Sequence, residues 1–206
     1  TPSTPTLSAR ALTGFGSSVC AGTTAGPNSF TLSGAALDGT DVSVSGNAVY
    51  TFATTAGGTY SNPLTLTAYN GTSPSSIFVK FTPSSAANFD GNITISGGGA
   101  TSVTTAVTGT GINGTPAVTT VTATSITAIS ASSGGNTIST TCGTITAKGV
   151  VWSLSANPTI VSNLGITSDG TGTTNYTSSI GSLSPNTLYN YRAYVTNSNG
   201  ITTYGS

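Results

Sequence analysis

The chain has 206 residues, and only eight carry a formal charge: Arg10, Lys80, Lys148, Arg192, Asp38, Asp41, Asp90 and Asp169, with no His, no Glu and a net charge of zero. An ordinary soluble domain is about 25% charged; this one is 4%. Proton-transfer chemistry draws mainly on His, Glu, Asp and Lys, so the inventory argues against an enzyme, while the zero balance argues against a nucleic-acid partner, which needs a basic footprint.

Hydroxyls replace the charge. Thr (43) and Ser (31) exceed a third of the chain, alongside 27 Gly, eight Tyr, six Phe and one Trp. β-Branched and aromatic residues suit a pleated, half-buried surface, so the composition points to all-β structure with neutral hydroxyls outside. Along the chain, Thr1-Pro2-Ser3-Thr4-Pro5 has neither initiator Met nor signal peptide, which reads as a processed chain or a piece of a longer one. Period-two alternation then recurs: Phe30 and Leu32 against hydroxyls, Val42 and Val44, Leu64 and Leu66, then Ile77, Val79 and Phe81 opposite Phe78 and Lys80, and Ile93 with Ile95. Turn signals at Asp38-Gly39, Gly57-Gly58, Asn70-Gly71, Asp90-Gly91 and 97–99 separate these runs. About seven such strands predict an antiparallel sandwich. A boundary near Thr110–Pro116 predicts domains 1–112 and 113–206. The second half carries strand signals over 125–131, 144–154, 173–180, 188–196 and 201–204, with a long loop over 155–172. No apolar run reaches the roughly 20 residues of a membrane helix, so no membrane insertion is expected.

The stretch Leu183-Ser184-Pro185-Asn186-Thr187-Leu188-Tyr189-Asn190-Tyr191-Arg192-Ala193-Tyr194-Val195 resembles the E–F corner and F strand of fibronectin type III-like domains. The resemblance implies that Leu183 and Pro185 shape the corner, and that the Tyr189 hydroxyl returns to backbone. Lys148-Gly149-Val150-Val151-Trp152-Ser153 is similar to a version repeated in large secreted proteins of the Bacteroidota, which often has Cys where this chain has Val151. The first half, through Phe15–Cys20, Ser29–Gly34, Phe78–Pro83 and Val107–Gly111, resembles an immunoglobulin-like module of the same proteins. The expected fold is therefore all-β, with two antiparallel immunoglobulin-like and fibronectin type III-like sandwiches in tandem. In the second, Ile201–Ser206 falls where the resemblance expects the final strand to begin, so either more sequence follows or this sheet edge is left short. An unpaired edge is a template for a strand from another chain, and Thr4–Leu12 is an extended segment able to supply one.

Candidate sites are few. Asp38 and Asp41 flank Gly39-Thr40 in a stretch readable as a calcium turn, but two carboxylates are few for six to eight ligands; an ordinary Asp-Gly turn is the simpler reading, and no metal or cofactor is expected. Cys20 and Cys142 lie in different halves. They are readable as an intramolecular disulfide, as buried thiols, or as bonds to neighbouring subunits. Without His, a cysteine nucleophile lacks its usual activator. Trp152 sits mid-strand, like the core Trp of sandwich domains, and Tyr194 has outward parity and is the ring best placed for sugar stacking. Thr-x-Thr pairs such as Thr144/Thr146 keep no fixed repeat length and read as the wet faces of strands.

These readings converge on a non-catalytic extracellular or cell-surface structural protein. It would be an adhesin segment or a self-assembling, pilus-like filament subunit, partnered by copies of itself or by neighbouring repeat domains. The alternative is a carbohydrate-binding accessory module of a secreted enzyme, with surface glycans as partners.

Overall fold

The computed structural model describes residues 3–16 and 18–206; Thr1 and Pro2 of the N-terminal segment and Ser17 of the Phe15–Cys20 phrase lie outside the described residues. Every regular element among the described residues is a β-strand. The chain divides into two compact units, Thr1–Ile112 and Asn113–Ser206.

In the first unit, β1 (Thr6–Ala9) opens a four-stranded sheet. Next, β2 (Val19–Cys20) is a short strand apart from it, and β3 (Ala25–Ala35) pairs with β1. Then β4 (Val42–Ser45), β5 (Tyr50–Ala53), β6 (Leu64–Leu66), β7 (Ser76–Phe81), β8 (Gly91–Gly97) and β9 (Ala100–Val107) complete two antiparallel sheets, ordered β1-β3-β7-β5 and β6-β4-β8-β9. The closing strand, β10 (Gly111–Ile112), runs parallel to β2, with Gly111 opposite Val19 and Ile112 opposite Cys20. Alternation decides which residues enter the space between the sheets: Phe30 and Leu32, Val42 and Val44, Ile77, Val79 and Phe81, and Ile93 with Ile95 are all buried. Each such side chain contributes about 1.5–3 kcal/mol on burial. Tyr50 stacks on Phe81 at 5.0 Å between ring centroids, with Phe15 tilted against both rings. The expected donor segment is used at home, since Thr6–Ala9 pairs with Leu32–Ala35 and Leu7 is buried in the core.

The second unit is a smaller sandwich. A three-stranded sheet comprises β11 (Pro116–Thr124), β12 (Ala131–Thr140) and β15 (Tyr176–Ile180) in the order β11-β12-β15. Facing it are β13 (Ile145–Ser153), β14 (Gly165–Ile166), β16 (Asn190–Asn197) and β17 (Thr202–Tyr204), ordered β14-β13-β16-β17. Three-residue β17 pairs only with Tyr194–Thr196 of its eight-residue neighbour. One expected strand is corrected here. Residues 125–130 form a loop: Ser125 takes left-handed backbone at φ +48°, and the Thr127 amide and hydroxyl both donate to Ser130 O. The strand falls instead on the Gly- and Ser-rich run Ala131–Thr140, whose glycines make room for large neighbours: a Cβ on Gly135 would collide with the Tyr176 ring.

Candidate functional site

The interior of the second unit is partly polar. Lys148 of β13 is 2% exposed. Its ammonium donates to Gly172 O at 3.2 Å, Thr174 O at 2.7 Å and Thr174 Oγ1 at 3.0 Å. The Asp169 Oδ2 accepts the hydroxyls of Thr167 and Ser178, each at 2.6 Å. Burial first, then the nearby Asp169 charge, raises the Tyr176 phenol above its ordinary value, so it stays protonated and donates to Gly149 O at 2.6 Å. Buried polar groups are tolerable when so paired. Ser178 and Lys148 are closed off from solvent.

Tyr194 also departs from its expected place. Its parity is outward, opposite Gly149 of β13. With no Cβ at Gly149 to lift it, the ring lies down across the sheet, donates from its hydroxyl to Thr167 O at 2.8 Å and is only 5% exposed. It offers no face to a sugar.

Exposed apolar surface gathers at the pole where β11, β13 and β15 end and β12 and β16 begin. There the two sheets part around a cavity of about 170 Å³. Trp152, Ile180, Leu183, Tyr189 and Tyr191 line it, and Ile126 and Leu188 stand at its edge, 72% and 84% exposed. The corner residues of the sequence reading converge here. Ser184 N donates to the Tyr189 hydroxyl at 3.1 Å, and Thr187 Oγ1 donates to Pro185 O at 3.0 Å. The Tyr191 hydroxyl accepts Ala123 N at 2.8 Å. Trp152 is half-buried; its ring crosses its cross-strand partner Gly165, where a Cβ would overlap it. No charged side chain lines the cavity.

A second apolar feature rises from the outer face of the β14-β13-β16-β17 sheet. Residues Thr159 and Ser162 exchange backbone hydrogen bonds at 2.9 and 3.1 Å, making Ile160-Val161 the tip of a two-residue hairpin. It is held firmly: Ile160 N donates to the Tyr204 hydroxyl at 2.9 Å, and the Asn163 amide donates to Thr159 O and Ile160 O. Arg192 Nε and Nη2 donate to Pro158 O and Asn157 O at 2.6 and 3.1 Å, and the guanidinium lies 4.2 Å from the Tyr204 ring centroid. Val161 is 90% exposed, with Leu164 (62%) and Ile166 beside it. The sequence reading missed this hairpin; the long loop over 155–172 was its only signal.

The remaining candidates are committed to the frame. Asp38 Oδ1 accepts both the amide and the hydroxyl of Thr40, which holds its carboxyl below the usual range. Asp41 accepts Ala68 N, and Asp90 accepts Gly109 N. Neither Cys20 nor Cys142 is a free thiol.

No family model matches the chain, and no curated protein matches it. Among solved structures, it is similar to crystal structures of titin domains (13% identity, TM-score 0.33, covering 97% of this chain and 63% of that one) and of the FN1–FN3 domains of chicken CNTN1 (13%, 0.36, 94% and 60%). A third is a two-domain fibronectin type III segment from chicken tenascin (13%, 0.32, 89% and 94%). The chain thus spans less than two thirds of the length of the first two.

Proposed function

We propose that the chain is a non-catalytic structural or adhesive module of the cell surface or extracellular space, whose second unit docks onto copies of itself or neighbouring domains. The observation that carries this reading is the distribution of apolar surface. All eight large hydrophobic residues found exposed (Ile126, Ile129, Leu154, Ile160, Val161, Leu164, Ile166 and Leu188) belong to the second unit. Large exposed apolar patches mark interaction sites, and none of the unit's three charges, Lys148, Asp169 and Arg192, lines the cavity. The non-catalytic part rests on use: the carboxylates hold turns or hydroxyls, and Lys148 is buried on carbonyl oxygens. Strand exchange between chains is one mode of such assembly. A Cys20–Cys142 disulfide belongs to the same reading, since such bonds persist in oxidising compartments; peptide mapping without reductant checks it, and recovery of the two peptides unlinked removes it.

Electron microscopy of the purified chain over a concentration series is the direct test. Regular polymers support the filament form. A monodisperse monomer at every concentration removes that form and leaves the adhesive one. The carbohydrate-binding alternative is weakened by the burial of Tyr194, and a glycan array without hits would end it.

A further inference from the structure

We infer that the hairpin tip at Val161 is a plug for the apolar cavity beside Trp152 of a second copy, so that chains join head to tail. This rests on the self-docking reading above and specifies its contact. The two features belong to one unit but face different ways. The cavity opens between the sheets, on the inward parity of Trp152 and Tyr191, which are paired in register. Leu164 and Ile166 have the opposite parity to Gly165, the partner of Trp152, so the hairpin ridge lies on the outer face. Neither Ile160 nor Val161 lines the cavity of its own chain.

Size and chemistry match. An apolar cavity of about 150 Å³ accepts a benzene-sized group, and this one has about 170 Å³, room for a valine or isoleucine side chain. Its tyrosine oxygens already accept Ser184 N and Ala123 N, and no charged side chain lines it, so the lining favours an apolar group over an ion. The plug is rigid before contact, held by Tyr204 and Asn163, which lowers the ordering cost of association. A projecting apolar residue complementary to a pocket elsewhere on the same molecule makes a heterologous contact, and such contacts grow into open chains unless the rotation closes a ring.

The test uses two single variants of the full chain, Val161→Glu and Leu188→Glu. Both side chains are largely exposed, and thermal midpoints matching the parent verify intact folding. In sedimentation across a concentration series, the parent is expected to grow beyond 20.1 kDa. Each variant alone should associate at least about tenfold more weakly, the scale of one buried aliphatic side chain. An equimolar mixture of the two should form pairs that do not extend, because one chain keeps its plug and the other its cavity. Trp152, the single tryptophan, lines the cavity and should shift its emission to the blue as the parent associates. The inference is overturned if Val161→Glu associates like the parent, in which case self-docking survives by another surface. It is overturned equally if the mixture stays monomeric or if the parent never associates. A blue shift of a monomeric parent with an added valine-rich peptide would assign the cavity to a foreign chain instead.

Discussion

Tyr50 shows how one hydroxyl ties the core of the first unit to its loops. Its ring is fully buried against Phe81, and its hydroxyl donates to Phe89 O at 3.1 Å. Burial, with Asp90 adding, pushes the phenol up to about 12. The unfolded chain therefore ionises first, near 10. The resulting contribution to stability is complete below pH 10 and is lost as pH rises from there through about 12. Tyr50→Phe should cost about 1 kcal/mol at neutral pH through the lost hydrogen bond, and should flatten the decline between pH 10 and 12. Chemical unfolding of both proteins at pH 8 and pH 11 measures this; equal losses at the two pH values in parent and variant would refute it. Residues such as Asn62 work at the same scale without a sequence signal. Its amide donates to Gly46 O, Asn47 O and Tyr50 O, a set of long-range partners that no local pattern announces.

Elements were legible in proportion to the contrast between their two faces. In the first unit, valine, isoleucine and phenylalanine alternate with hydroxyls, and the expected inward set is buried except for Leu64, which is half-buried. In the second unit the contrast fails. β12 is hard to read as a strand because two of its inward positions are Ser133, whose hydroxyl donates to Val121 O, and Gly135, which leaves room for the Tyr176 ring. Tyr194 has the parity that alternation predicts, yet glycine across the strand pair lets it fold flat and disappear from the surface. The corner around Tyr189 was legible through resemblance, whereas the cavity beside it was not, because a cavity is set by how far two sheets diverge. Tyr189→Phe removes the acceptor of Ser184 N. It should lower the stability of the second unit by about 1 kcal/mol, seen as a lower thermal midpoint. An unchanged midpoint would mean that water replaces the phenol without cost.

At the scale of the whole molecule, scarcity of charge sets the response to solution conditions. With no His and no Glu, few side chains titrate between about pH 5 and 9, so stability should be nearly flat there. In acid, Asp38, whose carboxyl is held low by Thr40, contributes stability above its unfolded value that is lost as pH falls through its folded one. Sodium chloride from about 0.05 to 0.5 M should hardly move the unfolding midpoint, because there are few charges to screen. A sulfate salt should raise it by strengthening apolar burial. A midpoint that shifted strongly with sodium chloride would point to electrostatic contributions larger than eight charges suggest.

The parallel pair β2 and β10 has a mechanical meaning. Val19 N donates to Thr110 O and Ala21 N to Ile112 O, at 3.0 and 2.8 Å. The two strands run in the same direction, one early and one last in the first unit. Tension that draws the early strand backward and the last strand forward slides them past each other. Both hydrogen bonds are then loaded together instead of parting one after the other, as they would in a hairpin pulled open from its end. This short patch is a shear clamp at the point where the unit passes its load to whatever follows Ile112.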